Sequence, residues 1–487
     1  MSDAVGKEMS GQEIEYVKLG DITKVIRGAS PRPKGSPEYF GGSIPWIMIA
    51  DVTRANGKYI TSTRDSVTEA GAEKSRYLKK GTLILSNSGT VCVPKILGFD
   101  GCIHDGFVAF PEISSDYDKE FLYHYFNYIR PRMINENRQG ITQVNLNTTI
   151  VKNIDVPVFK LEQQKRIVAK IEELFSHINA GIEALKKAKQ LLKQYRQAVL
   201  KAAVTGELTK EWREANKAKL EPASQLLERI LKERRLKWEE QQLEQFKAKG
   251  KMPKDDKWKE KYKEPLGYSY EGQLPEVPDS WLWVSPEQIA STDDYALAIG
   301  PFGSNLKVSD YRDEGVPLVF VRNIRAHDYS TTNAKYVTNK KAEELRAHSI
   351  SGGDVLITKM GEPPGDASIY PCTAPDAIIT ADCIKWRFSN LIKTSELFVH
   401  IINSQVIKNQ ILSRTKGVAQ KKISLGTFKS VAFPLPPLEE QAEILRELDQ
   451  KFYASDRLLK ELDMQLLKTE RSKQSVLASA FSGMLRE

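Results

Sequence analysis

The sequence predicts an α+β protein built from two strand-rich globular domains, each followed by a long helix that carries a coiled-coil seam. Three observations predict it. One stretch of the chain is repeated without a gap, the helical part of that repeat keeps an apolar seam, and short β-branched runs closed by turn residues precede each copy.

At a constant offset of 277 residues, Gly140–Leu208 aligns on Gly417–Leu485. The exit "PVFKLEQQKRIV" (Pro157–Val168) faces "PLPPLEEQAEIL" (Pro434–Leu445), and "QAVLKAAVTGEL" faces "QSVLASAFSGML". Gln197, Val199, Leu200, Ala203, Gly206 and Leu208 recur identically in the second copy. Similar helices alone would match in the middle; they would not hold both ends in one register.

Upstream the copies echo each other more loosely. "SIPWIMIADV" (Ser43–Val52) is similar to "GVPLVFVRNI" (Gly315–Ile324), and "KKGTLILSNSG" (Lys79–Gly89) to "SGGDVLITKMG" (Ser351–Gly361). Such β-branched runs ending in Gly, Asn or Ser read as strands with turns. Each half is therefore a divergent strand-rich domain followed by a preserved helix.

An alternating four-three spacing in the first helix selects Val168, Ile171, Phe175, Ile178, Ile182, Leu185, Leu192 and Val199. The second copy supplies Leu445, Leu448, Phe452, Leu459, Leu462 and Val476. A seam sustained for about five heptads argues for a coiled coil rather than a surface helix. Lys189, Arg196 and Lys473 interrupt it. About 45 residues make a rod of roughly 65 Å. A stripe that long needs a cover, and the matching stripe of the other copy is the obvious one.

These signals divide the chain into a tail (1–14), a first domain (15–158), a first helix (159–208), a charged insert (209–280), a second domain (281–436) and a second helix (437–487). Within the insert, Leu226, Leu227, Ile230, Leu231 and Leu243 give a helix a thin apolar stripe. After Gly250 the Lys-rich, Pro-broken chain reads as solvated, extended linker.

A chain of 487 residues with 40% hydrophobic and 28% charged residues exceeds one ordinary core. No apolar run suits a membrane span, and the N-terminal residues lack a signal-peptide core, so a cytoplasmic protein without a membrane partner is expected. Cys92, Cys102, Cys372 and Cys383 form no CxxC pair and the six histidines are scattered, so no metal site is expected. The net charge of +9 permits a polyanionic partner without requiring one.

Catalytic motifs are missing from the sequence. There is no GxxxxGK[ST] phosphate loop. "GEPPGD" (Gly361–Asp366) lacks the flanking residues of an adenine-methylating site and reads as a tight turn. In "PDAIITADCIK", Asp382 and Lys385 are three apart, so on a strand they would face opposite sides and could not share a nuclease metal. No catalytic residue is assigned, and this chain is expected not to be an enzyme.

What the domains offer is polar loops. Direct readout of DNA needs Arg, Lys, Asn and Gln at base edges, with further cations on phosphates. The first half supplies Arg27, Arg32 and Lys34, then Ser86 and Asn87, then Thr142, Gln143, Asn145 and Asn147. Corresponding places in the second half hold Lys307, Arg322 and Asn323, then Lys359, then Gln420, Lys421, Lys422 and Ser424. Polar loops are normal on any protein. Matching locations with different residues are more telling, because they suit two modules that read two different sequences.

The Pro-rich exits into a long helix, the endings "RQAVLKAAVTGELT" and "QSVLASAFSGML", and "LPEVPDSWLWV" (Leu274–Val284) opening the second half together resemble the specificity subunit of type I restriction-modification systems. The resemblance spans nearly the whole chain and is weakest inside the globular halves. Phe159 and Lys160 depart from it, standing where the second copy has Pro436 and Pro437. It implies two target-recognition domains separated by an antiparallel helical coiled coil, with internal pseudo-twofold symmetry. Each domain would read half of a bipartite, asymmetric site in double-stranded DNA. The implied partners are two methyltransferase (modification) subunits that bind S-adenosylmethionine, and two motor-endonuclease (restriction) subunits that use ATP and magnesium. No cofactor is implied in this chain itself. The rival is a non-enzymatic coiled-coil scaffold for protein interactions, which would lack the steeply salt-dependent DNA affinity of a phosphate-binding surface.

Overall fold

In the computed structural model the described residues are 14–139, 143–144, 146–250, 252–415 and 421–482, without the side chains of 138, 139, 143 and 144. Two compact units result: Met1–Ala188 with Glu461–Glu487, and Lys189–Lys460. This division cuts both long helices, Leu161–Val204 and Leu438–Phe481, each of 44 residues. Each unit thus takes the start of one helix and the end of the other, whereas the sequence reading set the helices apart as segments of their own.

Unit 1 contains two main sheets. The first has the order Ile26–Arg27, Phe107–Phe110, Leu83–Ser86, Pro94–Leu97, Tyr59–Ile60; the second runs Asp65–Val67, Phe40–Ile47, Gly101–Ile103, Arg76–Leu78. Unit 2 repeats the scheme with Leu297–Ile299, Cys383–Trp386, Val355–Thr358, Ala367–Ile369, and with Lys335–Val337, Val316–Val319, Ala377–Ile379, Ser349–Ile350. The second sheet in each unit holds one parallel pair, Trp46 beside Cys102 in unit 1 and Leu318 beside Ile378 in unit 2. The short runs Leu83–Ser86 and Val355–Thr358 are buried at every position, which accounts for their unbroken rather than alternating apolar pattern.

The chain enters and leaves each globular part on adjacent antiparallel strands: Tyr16–Lys18 beside Asp155–Pro157, and Leu282–Val284 beside Phe433–Leu435. The long helix starts directly afterwards, held by one buried amide. Gln164 accepts from the Asp118 N–H (2.8 Å) and donates to the carbonyls of Asp116 and Phe159, both at 2.8 Å. Its counterpart Gln441 accepts from the Thr394 hydroxyl (2.9 Å) and donates to the Pro436 carbonyl (2.9 Å). Asp118 and Thr394 are the N-cap residues of Lys119–Glu136 and Ser395–Ile402, so the amide ties the long helix to the start of another helix in its own unit. Both glutamines are fully buried.

The long helices pair antiparallel. In unit 1 the early residues Val168 and Ile171 share a core with the late residues Leu477, Ala480 and Phe481 of the other helix. In unit 2 Val199 and Ala203 share one with Ile444, Leu448 and Phe452. Ile182 is buried, and Phe175, Ile178, Leu185, Leu192, Leu445, Leu459, Leu462 and Val476 are half-buried. Two of the apparent interruptions belong to this packing. The Arg196 guanidinium lies 4.5 Å from the Phe452 ring centroid and pairs with Asp456, and Lys473 Nζ lies 6.0 Å from the ring of Phe175. Arg196 and Lys473 are equivalent positions, as are Phe175 and Phe452, so each unit seats a seam cation on the other helix's phenylalanine.

The insert is built into unit 2, which corrects the expectation of a solvated linker. Ala223–Ala248 is helical, and Leu226 and Ile230 enter the unit's core. The Arg234 guanidinium donates to the carbonyls of Glu287 (3.0 Å) and Ala290 (2.7 Å). Beyond Gly250, a 3₁₀ helix over Asp256–Lys261 buries Trp258 against Trp238, with ring centroids 5.9 Å apart. Glu440, on the second helix's first turn, is fully buried and receives Arg213 (2.6 Å), the Thr209 hydroxyl (2.7 Å) and the Trp281 indole N–H (2.8 Å). Among the described residues no helix is long and apolar enough to cross a membrane.

Gln441→Ala would leave a buried hydroxyl and carbonyl unpaired, so urea unfolding should show a loss of about 1–3 kcal/mol. A second outcome concerns pH. Burial, with Arg196 and Lys408 nearby, lowers the His327 imidazole to about 4. Burial, His327 and Arg196 lower the adjacent His400, its ring centroid 4.7 Å from that of His327, to about 3. Neutral rings in the folded state mean that stability is present above the ordinary value of 6.5 and is lost as pH falls through these lowered values. His400→Phe should therefore lose less of its thermal midpoint than the unmodified chain between about pH 7 and about pH 5.

Candidate nucleic-acid interface

In each unit the separately predicted loops meet at one end of the first sheet. Gly28 and Gly300 open the first loop at equivalent places, their N–H groups bonded to the carbonyls of Phe107 (2.9 Å) and Cys383 (3.1 Å). A Cβ on either would stand 2.1 Å from a carbonyl oxygen, of His104 or Thr380 respectively, so glycine is required for this approach. The Asn87 N–H then bonds the Gly106 carbonyl (2.9 Å), and its carbonyl accepts from Leu146 (3.0 Å). In unit 2 the Lys359 N–H bonds the Asp382 carbonyl (2.8 Å), and its carbonyl accepts from Ile423 (3.0 Å). Segments scattered over more than a hundred residues of sequence thus form one surface in each unit.

Side chains at this surface divide into exposed donors and internal braces. In unit 1 Arg27, Arg32 and Lys34 are exposed. Arg27 Nε donates to the Asp105 carbonyl (3.2 Å). The half-buried His104 beside them sits below its ordinary pKa, chiefly through burial and further through Lys34 and Arg32, with Asp105 opposing. Asn147 is exposed and caps Thr148–Lys152 by accepting from the Ile150 N–H (2.8 Å). In unit 2 Lys307, Lys421 and Lys422 are exposed. Arg322 is exposed but lies apart from these three loops, on the turn after the second-sheet strand Val316–Val319. Its guanidinium is 3.9 Å from the Phe320 ring centroid and donates to the Asn333 carbonyl (2.8 Å). Lys359 is half-buried and donates to the Ala381 carbonyl (2.9 Å). Ser424, equivalent to Asn147, is exposed and caps Leu425–Lys429 by accepting from the Thr427 N–H (2.9 Å).

Three predicted readers are internal. Ser86 is fully buried, and its hydroxyl donates to the Thr90 carbonyl while accepting from the Val93 N–H (2.9 Å). Thr358 closes the matching hairpin in unit 2 by accepting from Gly365 and Asp366. Asn87 is 1% exposed and offers its backbone rather than its side chain. Asn323, 2% exposed, accepts from the Phe320 N–H (2.9 Å) and donates to the carbonyls of Ser330 (2.8 Å) and Thr332 (3.1 Å). Asp51 does the same for Met48 in unit 1 (2.8 Å). Burial removes these three side chains from ligand contact; those of Ser86 and Asn323 are also occupied by hydrogen bonds, whereas Asn87 Oδ1 is buried without a partner. Thr142, Asn145 and Gln420 lie outside the described residues, as does the side chain of Gln143.

Several positioning residues are not singled out by the sequence. Gly28 and Gly300 carry no motif, while Gln164, Gln441 and Glu440 lie inside the repeated exits without their buried roles being legible there, and Glu440 stands where the first copy has Gln163. At Asp382 and Lys385, Lys385 is buried and donates to the Ser349 carbonyl (2.6 Å), with burial lowering its ammonium to about 8. The surface therefore presents hydrogen-bond donors and positive charge, suited to holding and reading a polyanion rather than to making or breaking bonds.

Residues 11–190 and 321–468 match the type I restriction modification DNA specificity domain family. The chain belongs to this family. Among its curated relatives, the type I restriction enzyme EcoBI specificity subunit of Escherichia coli is 24% identical over 378 residues, covering 77% of this chain and 67% of that one. A chain from a structural study of complex assembly and conformational transition of the type I R-M system aligns over 96% of this chain and 97% of its own, with a TM-score of 0.61 and 16% identity. The HsdS subunit from Thermoanaerobacter tengcongensis aligns over 100% of both chains, with a TM-score of 0.51 and 17% identity. This specificity-domain protein shares its fold with both. Its family membership makes it a DNA-specificity component rather than a catalyst.

The division between braces and readers is measurable. Asn323→Ala should lower stability by about 1–3 kcal/mol, whereas Arg322→Ala next to it should stay within about 0.5 kcal/mol in the same unfolding experiment.

Proposed function

We propose that the chain reads a split, asymmetric site in double-stranded DNA, one half-site per globular domain, and directs the subunits of a type I restriction-modification complex to it. The observation that carries this reading is the repeated meeting of three loops on one backbone scheme with different exposed residues. In unit 1 the exposed readers include Arg27, Arg32, Lys34 and Asn147. In unit 2 they include Lys307, Lys421 and Ser424, with Arg322 exposed on a separate turn. One scaffold with two residue sets suits two different half-sites.

The proposal extends to the unread gap between the half-sites, and helix length supports that part. Each long helix runs 44 residues without a break, about 65 Å along its axis. The paired helices act as the ruler for the unread gap between half-sites. Methylation of adenine with S-adenosylmethionine belongs to two modification subunits, and ATP- and magnesium-dependent cleavage to two restriction subunits.

Co-expression with a modification subunit, followed by genome-wide mapping of methylated adenines, tests the reading. A split motif is expected, and absence of any motif from a stable complex would favour the scaffold alternative. Adding one heptad to both helices should change the spacer and leave both half-site sequences intact. An unchanged spacer would remove the ruler.

A further inference from the structure

The insert ends in a stretch that reaches the reading surface of unit 2, and its role there is not accounted for by the two-reader scheme. Lys359, Arg414 and Lys422 line a cleft of about 320 Å³ together with Ile423, Ser424 and Thr427. The three cations come from three places: the end of the strand Val355–Thr358, the C-cap of the helix Gln405–Ser413, and the segment paired to Met360. Among the described residues no carboxylate lines this cleft or is ion-paired with these three side chains. Positive charge gathered without a counter-charge is unfavourable unless an anion supplies it.

Arg414 is aimed into the cleft by the insert. Its guanidinium donates to the Ser269 carbonyl and to the Ser430 hydroxyl. The Tyr270 ring centroid lies 5.3 Å from it. Ser269 is itself fastened to the domain, its N–H bonded to the Ser430 carbonyl at 3.1 Å. Two donor positions of the guanidinium are thereby spent on orientation, and the rest remain for a ligand. Unit 1 has no such device at the matching position: Asn137 stands there, its amide turned back to the Met133 carbonyl (2.9 Å).

We propose that Lys359, Arg414 and Lys422 form a clamp for a DNA backbone phosphate, and that Tyr270 and Ser269 of the insert act as positioning residues that preset Arg414. This rests on the DNA-reading function and deepens it. The clamp raises affinity for every sequence equally and gives the second half-site a grip for which Asn137 supplies no equivalent in unit 1. The insert is then an affinity device, not a spacer.

The test uses the full chain co-purified with its modification subunit and labelled duplexes with and without the mapped target, in a salt titration. Arg414→Gln and Lys422→Gln should each reduce the slope of log affinity against log salt by about one. Both duplexes should weaken by the same factor, about three- to tenfold, with the methylation motif unchanged. Tyr270→Ala should reproduce part of the Arg414→Gln loss, add nothing in the Arg414→Gln background, and be rescued by Tyr270→Phe. Weakening confined to the target duplex at unchanged slope would make these residues base readers and overturn the clamp. So would unchanged binding in both variants. Loss that Tyr270→Ala adds on top of Arg414→Gln would overturn the positioning role. If the unmodified complex binds DNA without preference for any split site, the DNA-reading function fails first, an outcome separate from these.

Discussion

The structure depends on a buried amide at the start of each long helix. Gln164 and Gln441 sit at equivalent points, and each joins the helix to the N-cap of a helix in its globular domain. An amide with both ends used has few ways to be satisfied, so it fixes direction as well as contact. A helix leaving at a fixed angle can commit its seam to one partner face. The alternative, a flexible exit, would leave the apolar stripe to choose among covers.

Chain continuity turns that local constraint into an architectural one. Each helix begins in one unit and ends in the other, so each core is completed by residues from the opposite half of the sequence. Phe481 illustrates it: near the end of the last helix, its ring stacks on Tyr128 and meets Phe121 and Tyr125 edge to face. The seam cations follow the same logic. Arg196 and Lys473 look like flaws in a heptad count, yet a guanidinium or ammonium over an aromatic face satisfies both the charge and the stripe.

The insert shows how a charged segment can be structural. Its composition suits solvent, but its few apolar residues are placed where unit 2 has surface to cover. Arg234 gives its planar fork to backbone carbonyls at a domain edge. Glu440 gathers the end of the first helix, the insert and Trp281 around one buried carboxylate. Such roles leave no periodic trace, since each partner is isolated in sequence.

By itself the sequence determined the two-domain α+β plan, the repeat and the helical seam. These depend on neighbours within a few residues, where heptad spacing and β-branched runs are direct consequences of backbone geometry. It also located the loops that carry exposed cations, including Arg32, Lys34, Lys307 and Lys422. Only the tertiary structure decided which polar residues face outward. Ser86 and Asn323 have the chemistry of readers, but both are consumed by hairpin and turn closure. It also brought Gly300, Lys359 and Ile423 together and set Arg414 against Tyr270. Those contacts arise from strand pairing between distant segments, and pairing across such separations is settled by the whole core at once.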